Sequence, residues 1–459
     1  MKLNSPEISV YITNHNYGNY LNLSIKSVLN QTFKDFELII LDDGSTDNSI
    51  KILSKFKNNK KIRIIYQKNE GMIKSINTAI KASKGRFVLR LDADDYLNKN
   101  ALLVLYNEIV KNKGVGLVYS DYYLVDKKNN ILKLEKVLDY FGSKKKINFP
   151  AHGACSLIRK NFLEEVNFYD QRFKRQDGVD LWYKFINRYK INKVNLPLFY
   201  YRQHSTNLSK NKIRIYETKN KILKKFSKKN KKKVALVIPV LGKLFNNECM
   251  SLEKFNNSNL ILICINEILK LKILDKIIIS SPDENLINYL KKKYKKKIFY
   301  HQRKKQGSFE NTNYNSQIKD SINKIYKNKS PDILVVVNFE YPFRRYFYIE
   351  TLVNTLNLHS CERVISVKKN DNYNFYQFKN NKFKLINNDN RNNLKLEKKE
   401  IFQEDGGLVA YNYKNFKSNV LENYEYETNY ILMDKKSSFY IQNKIDLEIA
   451  EKIIFKTRY

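Results

Sequence analysis

Between residues 7 and about 210 the hydrophobic pattern switches repeatedly between two periods. Ile8-Ser9-Val10-Tyr11-Ile12, Phe36 to Leu41, Ile62 to Tyr66 and Arg86 to Leu91 are short apolar runs bounded by polar residues. Their length and β-branched content predict buried strands. The segments between them, Tyr20 to Leu29, a stretch from Thr46 and Ile73 to Ala82, carry apolar residues at helical spacing. Ser45 or Thr46 is placed to cap the second of these helices. Such βαβα alternation predicts an α/β fold, a mostly parallel sheet with helices on both faces. A second series begins at Val234-Ala235-Leu236-Val237-Ile238-Pro239 and continues through strands at 275–280 and 332–337. Residues 370–400, rich in Asn and Lys, read as insertions around hairpins. The expected organisation is a first domain over 1–211, a basic linker helix over 212–233 and a second α/β domain over 234–459.

Polar residues change the picture at two strand ends. Leu41-Asp42-Asp43-Gly44-Ser45-Thr46-Asp47 and Leu91-Asp92-Ala93-Asp94-Asp95 each follow a buried run on what read as neighbouring strands. Carboxylates at the carboxyl ends of parallel strands face the crevice where α/β sheets bind ligands. Three carboxylates in four residues repel one another unless a cation is present. Oxygen ligands suit Mg²⁺ or Mn²⁺, and such a cation neutralises a diphosphate. Together the clusters predict a metal-dependent nucleotide site.

Charge adds less than its size implies. The chain of 459 residues carries a formal net charge of +39, most of it Lys scattered among Asn and Ile. That distribution fits a compositional bias of the coding sequence, with peripheral contact to an anionic membrane as the sharper alternative. Residues 212–233 hold eleven Lys or Arg residues against one acid, Glu217, and a thin apolar stripe of Ile215, Leu223 and Phe226. They predict a solvated linker helix or a membrane-surface helix. No basic–aromatic platform accompanies the charge, so nucleic acid is not an expected partner. No apolar run nears the ~20 residues that span a bilayer. Residues 1–7 show no signal-peptide core, and Cys155, Cys249, Cys264 and Cys361 lack metal-type spacing. The expected location is the cytoplasm, at most peripheral to the inner face of its membrane.

Val10-Tyr11-Ile12-Thr13-Asn14-His15-Asn16, Ser27 through Thr32, Phe36 through Asp47, then Asn77, Ala82, Gly85 and Asp92-Ala93-Asp94-Asp95 resemble family 2 glycosyltransferases of the GT-A fold. The resemblance implies a nucleoside-diphosphate-sugar donor lying across the first strands. Thr13 and Asp43 would contact the nucleobase and Asp92 would sit near the ribose, with Asn77 also on the donor side. Asp94 and Asp95 would bind Mg²⁺ or Mn²⁺ against the diphosphate.

In inverting members the general base precedes a helix carrying an Asp-Leu-Trp-like sequence. Here the segment is Arg175-Gln176-Asp177-Gly178-Val179-Asp180-Leu181-Trp182. Aligned on Asp180-Leu181-Trp182, the common Glu-Asp-x-Asp-Leu-Trp pattern places Gly178 where the catalytic aspartate belongs. Asp177, one residue earlier, is therefore the candidate base and Asp180 its competitor. His152 lies where the family places a residue facing the acceptor. Tyr201-Arg202-Gln203-His204 matches the last strand of the transferase domain, with Arg202 offered to phosphate and His204 to the metal or diphosphate. The acceptor would be a glycan or a lipid-linked glycan hydroxyl in bacterial surface-polysaccharide or glycoconjugate assembly.

In the second domain, Val237-Ile238-Pro239, Asn259-Leu260-Ile261, Ile278-Ile279-Ser280-Ser281, Tyr341-Pro342-Phe343-Arg344, Val364-Ile365-Ser366-Val367, Gly406 through Tyr411 and Asp446 through Glu451 resemble CMP-sialic acid synthetases. That resemblance implies a Rossmann-like nucleotidyltransferase domain. Its first loop, Val240-Leu241-Gly242-Lys243-Leu244-Phe245-Asn246-Asn247, has Leu241 where the family has arginine. Tyr440 and Gln442 stand where the family has two metal-binding aspartates. A domain so changed reads as degenerate, with Lys243 and Arg344 as remnants of the site. Two rivals to a single transferase activity remain: a bifunctional glycosyltransferase–cytidylyltransferase, and a non-catalytic sugar-nucleotide-binding scaffold.

Overall fold

The computed structural model describes residues 5–137, 153–173, 176–204, 212–227, 232–243, 249–294, 298–304, 314–327, 329–359, 361–370, 376–379, 382–385, 401–418 and 427–455. The chain divides into two compact units, and the division falls between Ile222 and Leu223.

In the first unit the strands are β1 (Ile8–Asn14), β2 (Phe36–Asp43), β3 (Ile62–Gln67), β4 (Phe87–Asp92), β5 (Tyr96–Leu97), β6 (Val115–Val125), β7 (Ile131–Glu135), β8 (Leu157–Arg159) and β9 (Lys190–Arg202). The helices are α1 (Gly18–Leu29), α2 (Ser49–Ser54), α3 (Met72–Ala82), α4 (Ala101–Val110), α5 (Lys160–Glu165) and α6 (Asp177–Ile186). The sheet order is β3-β2-β1-β4-β8-β6-β9-β5, with β7 added beside β6. Strands β1 to β4 run parallel, and β8 runs antiparallel to both β4 and β6. The two acidic strand ends therefore lie on either side of β1, not on adjacent strands as the sequence implied.

Period-two alternation sorts the side chains of this sheet onto two faces. Ile8, Val10, Ile12, Leu38, Ile40, Leu89 and Leu91 pack with Leu21, Ile25 and Val28 of α1 and Leu102, Leu105 and Ile109 of α4. Tyr11, Ile39, Leu41 and Val88 pack on the other face with Ile73, Ile76 and Ile80 of α3 and Leu181, Trp182 and Phe185 of α6. The apolar runs are thus buried on both sides, and their polar ends are left at one edge. Neither Ser45 nor Thr46 caps α2. That helix starts at Ser49, whose amide donates to Asp47 Oδ1 at 2.9 Å.

Helix α7 (Lys212–Phe226) follows. It is not the solvated rod that its charge implied: Asn220, Ile222 and Leu223 are buried, and burial pulls the Lys219 ammonium down to about 8. Of the apolar stripe Leu223 is buried and Ile215 and Phe226 are half-buried, while Ile213 is exposed.

The second unit carries β10 (Val234–Pro239), β11 (Lys254–Phe255), β12 (Ser258–Asn259), β13 (Lys276–Ser281), β14 (Phe299–Gln302), β15 (Ile333–Val337), β16 (Arg363–Asn370), β17 (Tyr376–Lys379), β18 (Lys382–Leu385), β19 (Ile401–Asn412) and β20 (Thr428–Met433). Its helices are α8 (Leu260–Ile268), α9 (Glu284–Lys293), α10 (Tyr314–Tyr326), α11 (Tyr346–His359), α12 (Tyr413–Lys417) and α13 (Lys444–Phe455). The main sheet runs β14-β13-β10-β15-β19-β16-β20, and β17 and β18 form a separate hairpin. Strand β19 is antiparallel to both neighbours, whereas β16 and β20 are parallel. Counting the seven main strands of each unit along the chain, both sheets have the order third, second, first, fourth, sixth, fifth, seventh. In both units the sixth strand is the reversed one. Among the described residues no helix is long and apolar enough to cross a membrane.

Candidate active site

The site lies where β1, β2 and β4 end and α6 begins. Asp42 is the local brace: its carboxylate accepts from Asn14 Nδ2 at 2.7 Å, Ser45 N at 3.0 Å and Ser45 Oγ at 2.6 Å. Asp43, also buried, accepts from Gln67 Nε2 at 2.7 Å, Glu70 N at 2.8 Å and Gly71 N at 2.9 Å. Those three bonds leave one of the roughly four acceptor positions of a carboxylate open. Thr13 stands in register between Leu41 of β2 and Asp92 of β4.

After β4 the chain turns sharply, and its three carboxylates point to different neighbours. Asp92 accepts from Arg90 Nε at 2.6 Å. Asp94 Oδ2 lies 2.8 Å from His204 Nε2, and His204 stacks on Tyr20 with ring centroids 5.4 Å apart. Asp95 is only 1% exposed; its Oδ1 accepts from Arg202 N at 2.8 Å, and Oδ2 has no hydrogen-bond partner among the described residues. Burial, and then the charge of Asp92, raises the Asp94 pKa against the opposing pull of His204. Burial, Asp94 and Asp92 push Asp95 well above the usual carboxylate range, more than Arg202 offsets. Both shifts favour the protonated carboxyls, with burial as the largest cause and repulsion among the three acids as the next.

Asp94 and His204 present an oxygen and a nitrogen donor side by side, while Asp95 is turned into the protein toward β9. Among the described residues no group of three or more His, Cys, Asp or Glu side chains forms a cage. Mg²⁺ is commonly held by one or two side chains together with substrate phosphates. Asp94 supplies one carboxylate of that kind, with His204 beside it.

Asp177 is the first residue of α6. Its Oδ2 accepts from Arg90 Nη1 at 2.7 Å, so one buried guanidinium joins it to Asp92. Burial opposes the charge on Arg90, but Asp92 and Asp177 outweigh it and raise its pKa further. Asp180, the competing carboxylate, is 1% exposed and lies 3.3 Å from Lys184 Nζ within the same helix. It packs rather than faces the crevice.

Two expected donor contacts have other occupations. Asn77 Nδ2 donates to Tyr169 O at 2.9 Å, and its Oδ1 accepts from Tyr169 N at 3.1 Å, so the amide clamps α3 to the loop after α5. Arg202 is 2% exposed. Its guanidinium donates to the carbonyls of Asp94 at 2.7 Å, Asp126 at 3.2 Å and Lys127 at 3.3 Å, and it lies over the Tyr20 ring. These bonds tie the acidic turn to β9 and to the 126–127 turn. His152 and Arg175 lie outside the described residues. Arg90 was missed in the sequence, although a lone charge in the apolar run Phe87-Val88-Leu89-Arg90-Leu91 is a visible signal.

The second-unit remnants are also engaged internally. Lys243 pairs with Glu253. Arg344 is buried, pairs with Asp405 Oδ2 at 2.7 Å, donates to Ser437 O at 3.2 Å and lies 3.7 Å above the Tyr341 ring. Gly407 makes this possible, because a Cβ there would stand 1.7 Å from Arg344 Nη1. Tyr440 stacks on Tyr341 at 5.0 Å. The backbone amide of Gln442 donates to Asp446 Oδ2 at 2.9 Å.

The sequence model of a family described as "Glycosyl transferase family 2" matches residues 9–167. An uncharacterised glycosyltransferase of Rickettsia prowazekii is 33% identical over 226 residues, covering 46% of this chain and 70% of that protein. A UDP-Glc:alpha-D-GlcNAc-diphosphoundecaprenol beta-1,3-glucosyltransferase of Escherichia coli is 30% identical over 227 residues, covering 47% of this chain and 85% of that protein. The chain spans only 19% of an E. coli chondroitin synthase that it matches at 35% identity over 128 residues. Among solved structures, Staphylococcus aureus TarS in complex with UDP-GlcNAc aligns with a TM-score of 0.40 at 20% identity, over 47% of this chain and 65% of that one.

Proposed function

The chain belongs to glycosyl transferase family 2, and from that premise we propose that its first unit transfers a sugar from a nucleoside-diphosphate donor to an acceptor hydroxyl, with inversion and with a divalent cation. The observation that carries the reading is Arg90, which brings Asp92 of β4 and Asp177 of α6 onto one guanidinium. A candidate base thereby stands beside the donor-side carboxylates, although 85 residues separate the two in sequence.

In this reading Asp43 offers its remaining acceptor position to a nucleobase N–H, with Thr13 beside it. Asp92 accepts from the ribose hydroxyls. Asp94 and His204 would hold the cation, which supplies Lewis-acid stabilisation of the charge on the leaving diphosphate. Asp177 takes the proton from the attacking hydroxyl, a role worth about 10²–10⁴-fold in rate. Asp95 and Arg202 keep the turn rigid. A UDP-linked hexose and a polyprenol-diphosphate-linked acceptor, used in surface-polysaccharide or glycoconjugate assembly, are the substrates to try first. The E. coli relative whose name specifies both supports that choice.

The test is transfer across a panel of UDP-, GDP- and CDP-sugars with Mn²⁺ or Mg²⁺, comparing the parent with Asp94→Ala and Asp177→Asn. Turnover that needs the cation and both carboxylates is expected. Folded parent protein that neither binds UDP nor turns over any donor would replace this reading with the scaffold one.

A further inference from the structure

An arginine in the interior of a strand is expensive unless its charge and its N–H groups are matched. Arg90 sits opposite Tyr11 in the register of β1 and β4, in the middle of the sheet. Its side chain is 8% exposed. Its two charge-assisted bonds go to carboxylates with separate proposed tasks: Asp92 on the donor side at 2.6 Å and Asp177 on the acceptor side at 2.7 Å. Among the described residues its Nη2 meets only Met72 Sδ, at 3.6 Å.

The approach is kept narrow. A Cβ on Gly153 would lie 3.3 Å from Arg90 Nη1, and one on Gly178 would lie 3.8 Å from the Gly153 backbone. Glycine at 153 brings the backbone close over the guanidinium beside the start of α6, where a Cβ would press on Arg90 Nη1. Gln176, just before Asp177, adopts a left-handed φ of 55°, which turns the chain abruptly into the helix. Asp177 is thereby fixed at its carboxylate by Arg90 and at its backbone by the helix start.

We propose that Arg90 is a positioning residue that orients the Asp177 carboxylate for the acceptor and links it, through Asp92, to the state of the donor site. The proposal rests on the transferase reading above. It differs from a structural role in a measurable way: Arg90 acts through Asp177, so removing Arg90 matters little once Asp177 is gone.

A double-mutant cycle tests this with Arg90→Gln, Asp177→Asn and the pair, using the UDP-sugar found active and UDP itself as the binding probe. Arg90→Gln is expected to lower kcat about 100-fold while moving the donor KM less than about threefold. In the Asp177→Asn background the same substitution is expected to lower kcat by less than about threefold. Asp177→Asn is expected to change the UDP Kd in the parent and to leave it unchanged in the Arg90→Gln background, since the link runs through the guanidinium. The chain's single tryptophan, Trp182, lies on α6, so unchanged emission verifies that α6 stays docked in each variant. Where Arg90→Gln does not fold, Arg90→Lys keeps the charge but loses the planar fork and should show a tenfold kcat loss. Losses that multiply across the cycle, or an unchanged kcat in a folded Arg90 variant, overturn the proposal. Asp177→Asn turning over at the parent rate overturns the assignment of the base instead.

Discussion

The two units of this chain have one sheet order and two chemistries. In each, seven main strands follow the same spatial sequence with the sixth reversed, so both have a crevice at the ends of the second, first and fourth strands. In the first unit those ends carry Asp43, Asp92, Asp94 and Asp95, and burial and mutual repulsion raise the pKa values of the last two. In the second, β13 ends in Ser280 and Ser281, and β15 leads into Asn338-Phe339-Glu340. There Arg344 pairs with Asp405, which also takes the Ser366 hydroxyl and the Gly407 amide, while burial raises the Glu340 pKa and lowers that of Arg344. The fold supplies the crevice, and the side chains at the strand ends decide its use. The first unit clusters carboxylates at its strand ends, whereas the second places an arginine–aspartate pair beside its own.

Removing the Asp94 carboxylate should give the largest effect. Asp94→Ala is expected to reduce transfer about 10³-fold, the scale of losing an electrostatic contact to charge that develops in the transition state. Stability should change far less than activity, since the relieved repulsion offsets part of the lost His204 contact. Measuring initial rates and the melting transition together separates the two effects. A variant with parental activity would place the cation elsewhere and erase the contrast between the units.

The converse substitution belongs in the second unit. Breaking a buried pair by removing one partner costs about 3–5 kcal/mol, so Arg344→Met should lower the denaturant midpoint clearly. Transfer per folded molecule should stay at the parent level. Adding Asp405→Leu should recover most of the lost stability, since a hydrophobic replacement of both partners is often close to neutral. Arg344→Met that leaves stability intact and abolishes transfer would mean that the second unit contributes to the chemistry.

Much of the fold was legible because its signals are local. The apolar runs at 8–12, 36–41 and 62–66 are strands within two residues of their observed ends; the first two are buried on both faces and so almost wholly apolar, whereas the third, at the sheet edge, is half-buried with Tyr66 exposed. The acidic strand ends were equally plain. What the sequence did not disclose depends on contacts between distant residues. Asn77 and Arg202 have the right chemistry for a donor site, yet their hydrogen bonds go to Tyr169 and to the 126–127 turn. Only the closed fold reveals those partners. The separation of β2 from β4 by β1 was hidden for the same reason, since crossovers leave no trace in periodicity. The burial of Ile222 and Leu223 in α7 was masked by the lysines around them.

The smallest effect is expected where the resemblance of the second unit to a metal-dependent enzyme fails. Asn443 Oδ1 accepts from Asp446 N at 3.0 Å, and Asp446 Oδ2 accepts from the amides of Gln442 at 2.9 Å and Asn443 at 3.3 Å. This is the reciprocal arrangement of a capping box at the start of α13. Asp446 is the carboxylate in sequence nearest to Tyr440 and Gln442, and it is committed to backbone amides rather than offered to a cation. Asp446→Ala should therefore cost about 1 kcal/mol of stability, the usual worth of a cap. Mg²⁺ or EDTA should leave the stability difference between parent and variant unchanged. A difference that grows with Mg²⁺ would assign Asp446 a cation after all, and the second unit would then share the metal chemistry proposed for the first.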